Sequence, residues 1–172
     1  MILLLLLLLL LEVLSSTSLL TTTYTSIKKC CNYFKQKELN ELATTFENIL
    51  ESISLIHHEI YDNSNWEGAV NEGLIDLSDH FKKVSLSNDI NNDIFKKHMM
   101  LASCQIDVSC QITGCIVQAS QAGDSIIEAG KSIIEAGSSL KDTTHNDVSQ
   151  HIVNTGESIS IFGEKLLKGE LT

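Results

Sequence analysis

Cysteine is the residue type with the clearest capacity for covalent chemistry in this 172-residue chain. Five cysteines are present, two adjacent and three in a later group: Cys30, Cys31, Cys104, Cys110 and Cys115. Adjacent cysteines rarely bond to each other, because disulfide geometry does not suit consecutive residues. Helical spacing would place the first and last thiols of the later group about 16 Å apart, too far for a bond. The spacing therefore predicts bridges from the adjacent pair to the later group, with one thiol left over or shared between two chains.

The remaining reactive residues give little support for metal binding or catalysis. The intervals between the later cysteines match no zinc-site pattern. Asp76 and His80 are four residues apart, and His57 and His58 precede Glu59, but ordinary helix-face pairs have the same spacing. No phosphate-binding glycine loop, G-x-S-x-G or H-E-x-x-H motif occurs in the sequence. We therefore predict a protein without enzymatic activity, cofactor or metal, in which plain buried thiols are the alternative to bridges.

The net charge excludes one large class of partners. The chain has 22 acidic and 12 basic side chains, a net charge of −10, and all of the basic residues are Lys. Nucleic-acid binding requires a basic surface, so it is not expected.

The chain also contains no Pro, whereas turn-rich β architectures use Pro and Gly at their turns. The composition therefore favours helices.

An apolar run opens the chain. Residues 2–11 read ILLLLLLLLL, about half of the roughly 20 residues that a membrane-spanning helix needs. This length matches the apolar region of a secretory signal peptide, and residues 15–18 supply the small side chains typical of a cleavage site. No basic residue precedes the run and Glu12 ends it, so an uncleaved anchor, extended by the next two leucines, is the alternative. We predict a signal peptide in residues 1–22, cleaved between residues 16 and 26, and a secreted, extracellular protein.

Apolar heptads organise the rest of the chain. Seven apolar residues alternate in steps of three and four: Leu39, Leu42, Phe46, Ile49, Ile53, Ile56 and Ile60. This spacing predicts a long amphipathic helix that ends near the turn-forming residues 62–65. A second helix is predicted from Trp66 to about Leu86, and a third begins near Ile94, capped by Asn92 or Asp93. Residues 23–38 lack the heptad seam, so we expect an N-terminal arm that carries the adjacent cysteines.

The segment that follows supports two interpretations. Apolar residues alternate with polar ones over residues 104–112, which is the pattern of a strand. The region also has helical spacing from Phe95 to Val117, and a single strand would have no partner in a helical chain. We favour a helix with a break near Gly114 or Gly123, because an unbroken helix as far as Leu140 would be about 70 Å long.

A seven-residue repeat marks the next helix. Residues 123–129 read GDSIIEA, residues 130–136 read GKSIIEA, and weaker copies begin at Gly137, Gly156 and Gly163. Because glycine costs a helix about 1 kcal/mol relative to alanine, its regular spacing indicates that a neighbouring helix approaches closely. The repeat also aligns an apolar stripe that either packs in the bundle or contacts a partner: Ile126, Ile127, Ile133, Ile134 and Leu140. With this interpretation Gly130→Leu destabilises the fold, whereas Gly130→Ala is mild or stabilising.

These patterns together predict an all-α protein, an antiparallel bundle of four to five amphipathic helices over residues 39–170. The leading functional prediction is a secreted, acidic binding protein of the effector or inhibitor type, which holds a protein partner or a small apolar ligand. The alternative is a membrane-active protein, pore-forming or lipid-binding, that uses the Gly-, Ala- and Ile-rich residues 99–140. It is less favoured because lipid surfaces usually attract a basic face. The odd cysteine and the heptads also suit a disulfide-linked or helical homo-oligomer.

Overall fold

The computed structural model describes residues 2–62, 66–113 and 119–168, and the side chains of residues 19–56, 72–110 and 122–168. Within these ranges the chain forms six α-helices and no strand. The helices are α1 (Ile2–Gln36), α2 (Asn40–Asp62), α3 (Trp66–Leu86), α4 (Asp93–Thr113), α5 (Ala119–Ser139) and α6 (Asn146–Lys168). The predicted all-α fold is confirmed, and the strand interpretation is wrong for residues 104–113. Gly114 and Cys115 lie outside the described residues.

The six helices form a closed bundle. Each helix packs against its neighbours in sequence, and the last helix, α6, also packs against the first. The helix α1 therefore contacts both α2 and α6, and it buries Ile27, Cys30 and Phe34 in the common core. Residues 23–36, which we expected to form an arm without a seam, thus belong to a helix that takes part in the bundle.

The heptads locate the helices from α2 to α4 closely. Four side chains of the predicted seam of α2 are buried: Leu42, Phe46, Ile49 and Ile56. The large buried side chains of α3 have the same alternating spacing of three and four residues: Leu74, Leu77, Phe81 and Val84. The predicted cap of α4 is confirmed, because Asn92 Oδ1 accepts a hydrogen bond from the amide of Phe95 (2.9 Å). Helices α4 and α5 pack against each other, so residues 94–140 do not form one straight helix, as predicted. The candidate break at position 114 lies outside the described residues. Gly123, the other candidate for the break, lies inside α5.

The turn between α1 and α2 places a side chain in a conformation that favours glycine. Glu38 has φ 61°. Its amide donates to the carbonyl of Lys35 (3.0 Å), and the amide of Leu39 donates to the carbonyl of Phe34 (2.9 Å). These are the two hydrogen bonds of a Schellman motif, whose left-handed position is usually glycine. A residue with a Cβ is held there at a cost of roughly 1–2 kcal/mol.

The helices α5 and α6 meet through their glycines. Gly123 lies against Gly163, and Gly130 lies against Gly156. A step of seven residues forward along α5 thus corresponds to a step of seven residues back along α6, so these two helices are antiparallel. The close approach predicted from the glycine spacing is confirmed. At the next step Ser149 replaces a glycine, and its hydroxyl donates to the carbonyl of Gly137 (2.7 Å).

This geometry corrects the expectation for alanine at position 130. A Cβ added to Gly130 would lie 2.6 Å from the carbonyl oxygen of Gly156 and 2.6 Å from the amide nitrogen of Ser160. Ordinary van der Waals contacts of a Cβ are 3.4–4 Å long, and both obstructing atoms belong to the backbone of α6. Even a methyl group therefore forces the two helices apart, so Gly130→Ala is not a mild substitution in this fold.

Candidate binding surface

Three of the cysteines are buried and poorly nucleophilic. Burial raises the pKa of Cys30 far above its usual value, and the neighbouring Cys31 adds to the rise. Burial likewise raises the pKa of Cys31 to about 11, with a further contribution from the charge of Glu47. Burial also raises the pKa of Cys110 to about 11, and the nearby Asp107 acts in the same direction. Because the thiolate is the reactive form of cysteine, these three thiols are unreactive near neutral pH.

The predicted disulfides are absent from the described part of the chain, where Cys30, Cys31 and Cys104 are free thiols. The helix order gives the physical reason. The adjacent pair lies on α1, which packs on α2 and α6, whereas Cys104 and Cys110 lie on α4, which packs on α3 and α5. A disulfide requires Cα atoms within about 7 Å, and such distances arise only between helices that pack closely together.

One histidine, His145, connects two elements of the bundle. The Tyr33 hydroxyl donates to the carbonyl of Thr144 (3.1 Å) and lies 3.1 Å from Nδ1 of His145. The Tyr33 and His145 rings meet edge to face with centroids 6.1 Å apart, so this contact fastens α1 to the turn before α6. Among the residues that the structure describes, no group of three or more His, Cys, Asp or Glu side chains could hold a metal ion. The side chains of His57 and His58 are outside that set.

The predicted pair Asp76 and His80 lies on α3, with Asp76 exposed and His80 half-buried. Nδ1 of His80 is buried, and no side chain or backbone group of the described residues hydrogen-bonds to it. Burial lowers the pKa of His80, and the charge of Lys83 contributes in the same direction. The ring is therefore neutral at neutral pH, which suits its place against the core.

The apolar stripe of α5 is used for packing within the bundle. Ile126, Ile133 and Leu140 are buried in the core. Ile127 lies against Gly163 of α6 and Ile134 lies against Gly156, so closely that a Cβ at either glycine would overlap with the isoleucine. The residues of this stripe therefore pack against α6 and in the core, and the stripe is not exposed for a partner to bind.

A different row of apolar side chains lies on the outside of α4. Ile94, Leu101 and Val108 are 59%, 40% and 43% exposed, and their spacing of seven residues places them on one helix face. Cys104 is exposed beside this row. We refer to these four residues as the α4 surface. Among the residues whose side chains the structure describes, the other large exposed apolar residues are divided among four helices, with at most two on each: Tyr24, Leu55, Ile75, Leu86, Ile161 and Leu167.

The α4 surface was missed in the sequence because a second, stronger pattern accounts for the same helix. Phe95, Met99, Ala102 and Ile106 are completely buried and explain the amphipathic spacing of α4. The signal that could have revealed the surface is a second apolar repeat at positions 94, 101 and 108. It begins at Ile94, one residue before the buried Phe95. Apolar residues at these three positions are not needed for packing in the core, so their repetition at heptad spacing indicates a second apolar face on α4.

Polar contacts hold α4 firmly beneath this surface. The Ser78 hydroxyl of α3 donates to Oδ1 of Asp107 (2.6 Å) and lies 3.0 Å from the Ser103 hydroxyl. Both serines are buried. At the other end of α4, the side-chain amide of Asn92 donates to the carbonyl of Ser139 (2.9 Å) at the end of α5. The α4 surface is thus presented by a helix that is fixed to both of its neighbours.

No protein-family model, curated protein or solved structure matches this chain. Across the residues whose side chains are described, no helix is long and apolar enough to cross a membrane. The α4 surface contains three apolar side chains and one thiol. The exposed Lys97 lies on the same helix face, between Ile94 and Leu101, and the exposed Asp107 lies beside Val108. This arrangement is suited to binding an apolar face that also carries a negative charge.

Proposed function

We propose that this chain is a secreted, acidic, non-catalytic binding protein, whose antiparallel helical bundle presents the α4 surface to a protein partner. The observation that carries the proposal is the exposed heptad row of Ile94, Leu101 and Val108. An amphipathic helix of a partner would cover such a row with apolar residues at matching spacing. Because α4 is fixed by contacts with α3 and α5, little ordering would be required on binding.

The buried groups support binding without chemistry. Burial raises the pKa of the Cys30, Cys31 and Cys110 thiols, and it lowers the pKa of three histidines: His80, His145 and His151. A small apolar ligand held between helices is the other binding mode. The contact of α5 with α6 gives no room for one, since a single methyl group at Gly130 would already meet backbone.

A membrane-active function is the second candidate, because residues 99–140 are rich in Gly, Ala and Ile. The small residues Ala122, Ala129 and Ala136 are completely buried in the bundle, together with the neighbouring isoleucines. Exposing this segment to lipid would require α5 to separate from α6. The closed bundle therefore favours a protein partner over a lipid surface.

The exposed thiol of Cys104 allows a direct test. A photoactivatable crosslinker is attached to Cys104 in a Cys115→Ser background, and the labelled protein is exposed to the extracellular fluid and cell surfaces of the source organism. The proposal predicts a discrete protein adduct. The matched control carries the same crosslinker at Ser138→Cys, an exposed position of α5, in a background that also lacks Cys104. This control should give no protein adduct.

The substitution Leu101→Glu should abolish the adduct while leaving the melting temperature nearly unchanged, since Leu101 is already 40% exposed. Flotation of the protein with neutral and anionic phospholipid vesicles tests the membrane alternative in parallel. Equal adducts from both labelled positions, or none from Cys104, would contradict the proposal. Flotation that survives Leu101→Glu would favour the membrane-active function.

A further inference from the structure

The α4 surface is continued by exposed apolar residues of α3. The Ser78 hydroxyl contacts Ser103 and Asp107 of α4, so it marks the side of α3 that meets α4. Successive residues of a helix are turned by about 100°, which places the large buried residues of α3 on one side of Ser78. Ile75 and Leu86 are turned to the opposite side by about 60° and 80°, and both are exposed. They therefore lie at the outer edge of the contact between α3 and α4.

The same rotation on α4 leads from this contact to the α4 surface. Starting from Asp107, which faces α3, Met100, Cys104 and Val108 are turned away from the core by about 20°, 60° and 100°. Met100 is half-buried, and the other two are exposed. Two exposed edges thus border a shallow groove, whose floor is the contact of α3 with α4. We refer to it as the α3–α4 groove.

The two edges lie opposite each other along the groove. Helices α3 and α4 pack side by side and are joined by the short loop 87–92, so they run antiparallel. With equal rise from the Ser78 contact, Ile75 is level with about residue 108 of α4, and Leu86 is level with about residue 97. The span from Ile75 to Leu86 is about 16 Å, which is three turns of a helix. A partner helix laid between α3 and α4 would therefore meet apolar residues from both sides.

Three lysines lie together along the groove. Lys82 of α3 is level with about residue 101 of α4, close to the level of Lys96 and Lys97. Lys82 and Lys97 are exposed, and none of the three forms an ion pair with any residue that the structure describes. Three acidic residues lie on either side of this cluster along the groove: Asp93, Asp79 and Asp107. In a chain of net charge −10, unpaired lysines at an apolar groove select a partner that carries carboxylates.

We propose that the partner of the α4 surface is an acidic amphipathic helix, which lies in the α3–α4 groove with its apolar face on Ile75, Leu86 and the α4 surface and with carboxylates beside Lys82 and Lys97. This inference rests on the proposed function, and it adds α3 to the binding site and negative charge to the partner. A basic helix would be attracted by the acidic chain as a whole, yet it would bring like charges together in the groove. A preference for an acidic helix therefore separates binding in the groove from general attraction.

Two fluorescein-labelled helical peptides of about six turns test the charge of the partner. Both carry leucines at heptad spacing, and the positions that flank the leucines are Glu in one peptide and Lys in the other. Each peptide is titrated into the full chain, and binding is followed by fluorescence anisotropy. The Glu peptide should bind at least about tenfold more tightly than the Lys peptide.

Substitution on α3 tests the groove. Ile75→Glu should weaken binding of the Glu peptide by about tenfold or more, although Ile75 is not on α4. Ile161→Glu on α6 is the matched control, since the two isoleucines are 46% and 43% exposed, and it should leave the affinity unchanged. Circular dichroism and the melting temperature of each variant confirm that it is folded.

Substitution of the lysines tests the cluster. Lys82→Gln combined with Lys97→Gln should weaken binding of the Glu peptide. Lys28→Gln combined with Lys141→Gln is the matched control, because it removes two exposed lysines elsewhere and changes the net charge equally, and it should weaken binding much less.

Unchanged binding in Ile75→Glu would overturn the groove and leave the site on α4 alone. Equal or tighter binding of the Lys peptide, or equal effects of the two lysine pairs, would overturn the acidic partner. Failure of both peptides to bind would overturn a helical occupant. Sedimentation of the free chain as a dimer that Ile75→Glu dissociates would assign the groove to a second copy and overturn the proposal. In each case the crosslinking at Cys104 still reports separately on the proposed function.

Discussion

The sharpest prediction concerns Gly130→Ala in the contact between α5 and α6. An added Cβ would be 2.6 Å from two backbone atoms of α6, about 1 Å closer than an ordinary contact allows. The helices must separate locally to relieve this overlap. Overpacking of this kind costs about 1–3 kcal/mol, and the upper half of the range applies because the obstructing atoms are backbone.

Helix propensity acts in the opposite direction. Alanine is favoured over glycine in a helix by about 1 kcal/mol, so the expected net destabilisation of Gly130→Ala is about 1–2 kcal/mol. For a chain of this size, each kcal/mol lowers the melting temperature by about 2–4 °C. The variant should therefore melt about 2–8 °C below the parent, and Gly130→Leu should melt lower still.

Thermal and urea unfolding followed by circular dichroism would measure this effect. Ser138→Ala is the matched control, because this exposed position of α5 gains helix propensity without adding a group to the contact with α6. The pair Gly130→Ala and Gly156→Ala should cost less together than the sum of the two, since both force apart the same crossing. A Gly130→Ala protein that melts at or above the parent would refute the close-contact reasoning.

Four further outcomes are expected. Glu38→Gly should raise the free energy of unfolding by about 1 kcal/mol in urea titrations, because it removes a Cβ from a left-handed position; a decrease would contradict the turn geometry. Asn92→Ala should lower it by about 1–2 kcal/mol through loss of the cap and of the bond to α5. In the folded protein, an aromatic disulfide reagent at pH 8 should modify Cys104 rapidly and the buried thiols only after denaturant is added. Burial lowers the pKa of three histidines in the folded state: His80, His145 and His151. Protons therefore bind preferentially to the unfolded chain, and the free energy of unfolding should fall as the pH drops below the ordinary histidine pKa of 6.5. A melting temperature that stays constant between about pH 7 and 5 would contradict this.

The sequence was most informative where one periodic signal acted alone. The steps of three and four from Leu39 onward were enough to locate α2, and the polar clusters that follow were enough to locate the start of α3 and the cap of α4. The regular glycines likewise predicted a close helix contact. In each case local spacing and local hydrogen bonding determine the outcome, and no knowledge of distant contacts is required.

The features that were missed depend on contacts between distant parts of the chain. The buried face of α1 was missed because it begins with two polar residues, Thr23 and Ser26, before Ile27, Cys30 and Phe34 continue it. The left-handed Glu38 has no glycine to reveal it. The effect of alanine at Gly130 depends on a distance across the contact, which a repeat in the sequence indicates but does not measure.

The packing of the first helix against the last has a consequence for how the chain folds during synthesis. About 110 residues separate the end of α1 from the start of α6, and a ribosome needs roughly 5–20 s to add them. Throughout that interval the face of α1 that will meet α6 has no partner, although the face that meets α2 is covered early. The helix α6 can dock between α1 and α5 only after its own synthesis. A nascent chain that stops before α6 leaves the α6-facing sides of α1 and α5 uncovered, and transiently exposed apolar surface of this kind promotes aggregation.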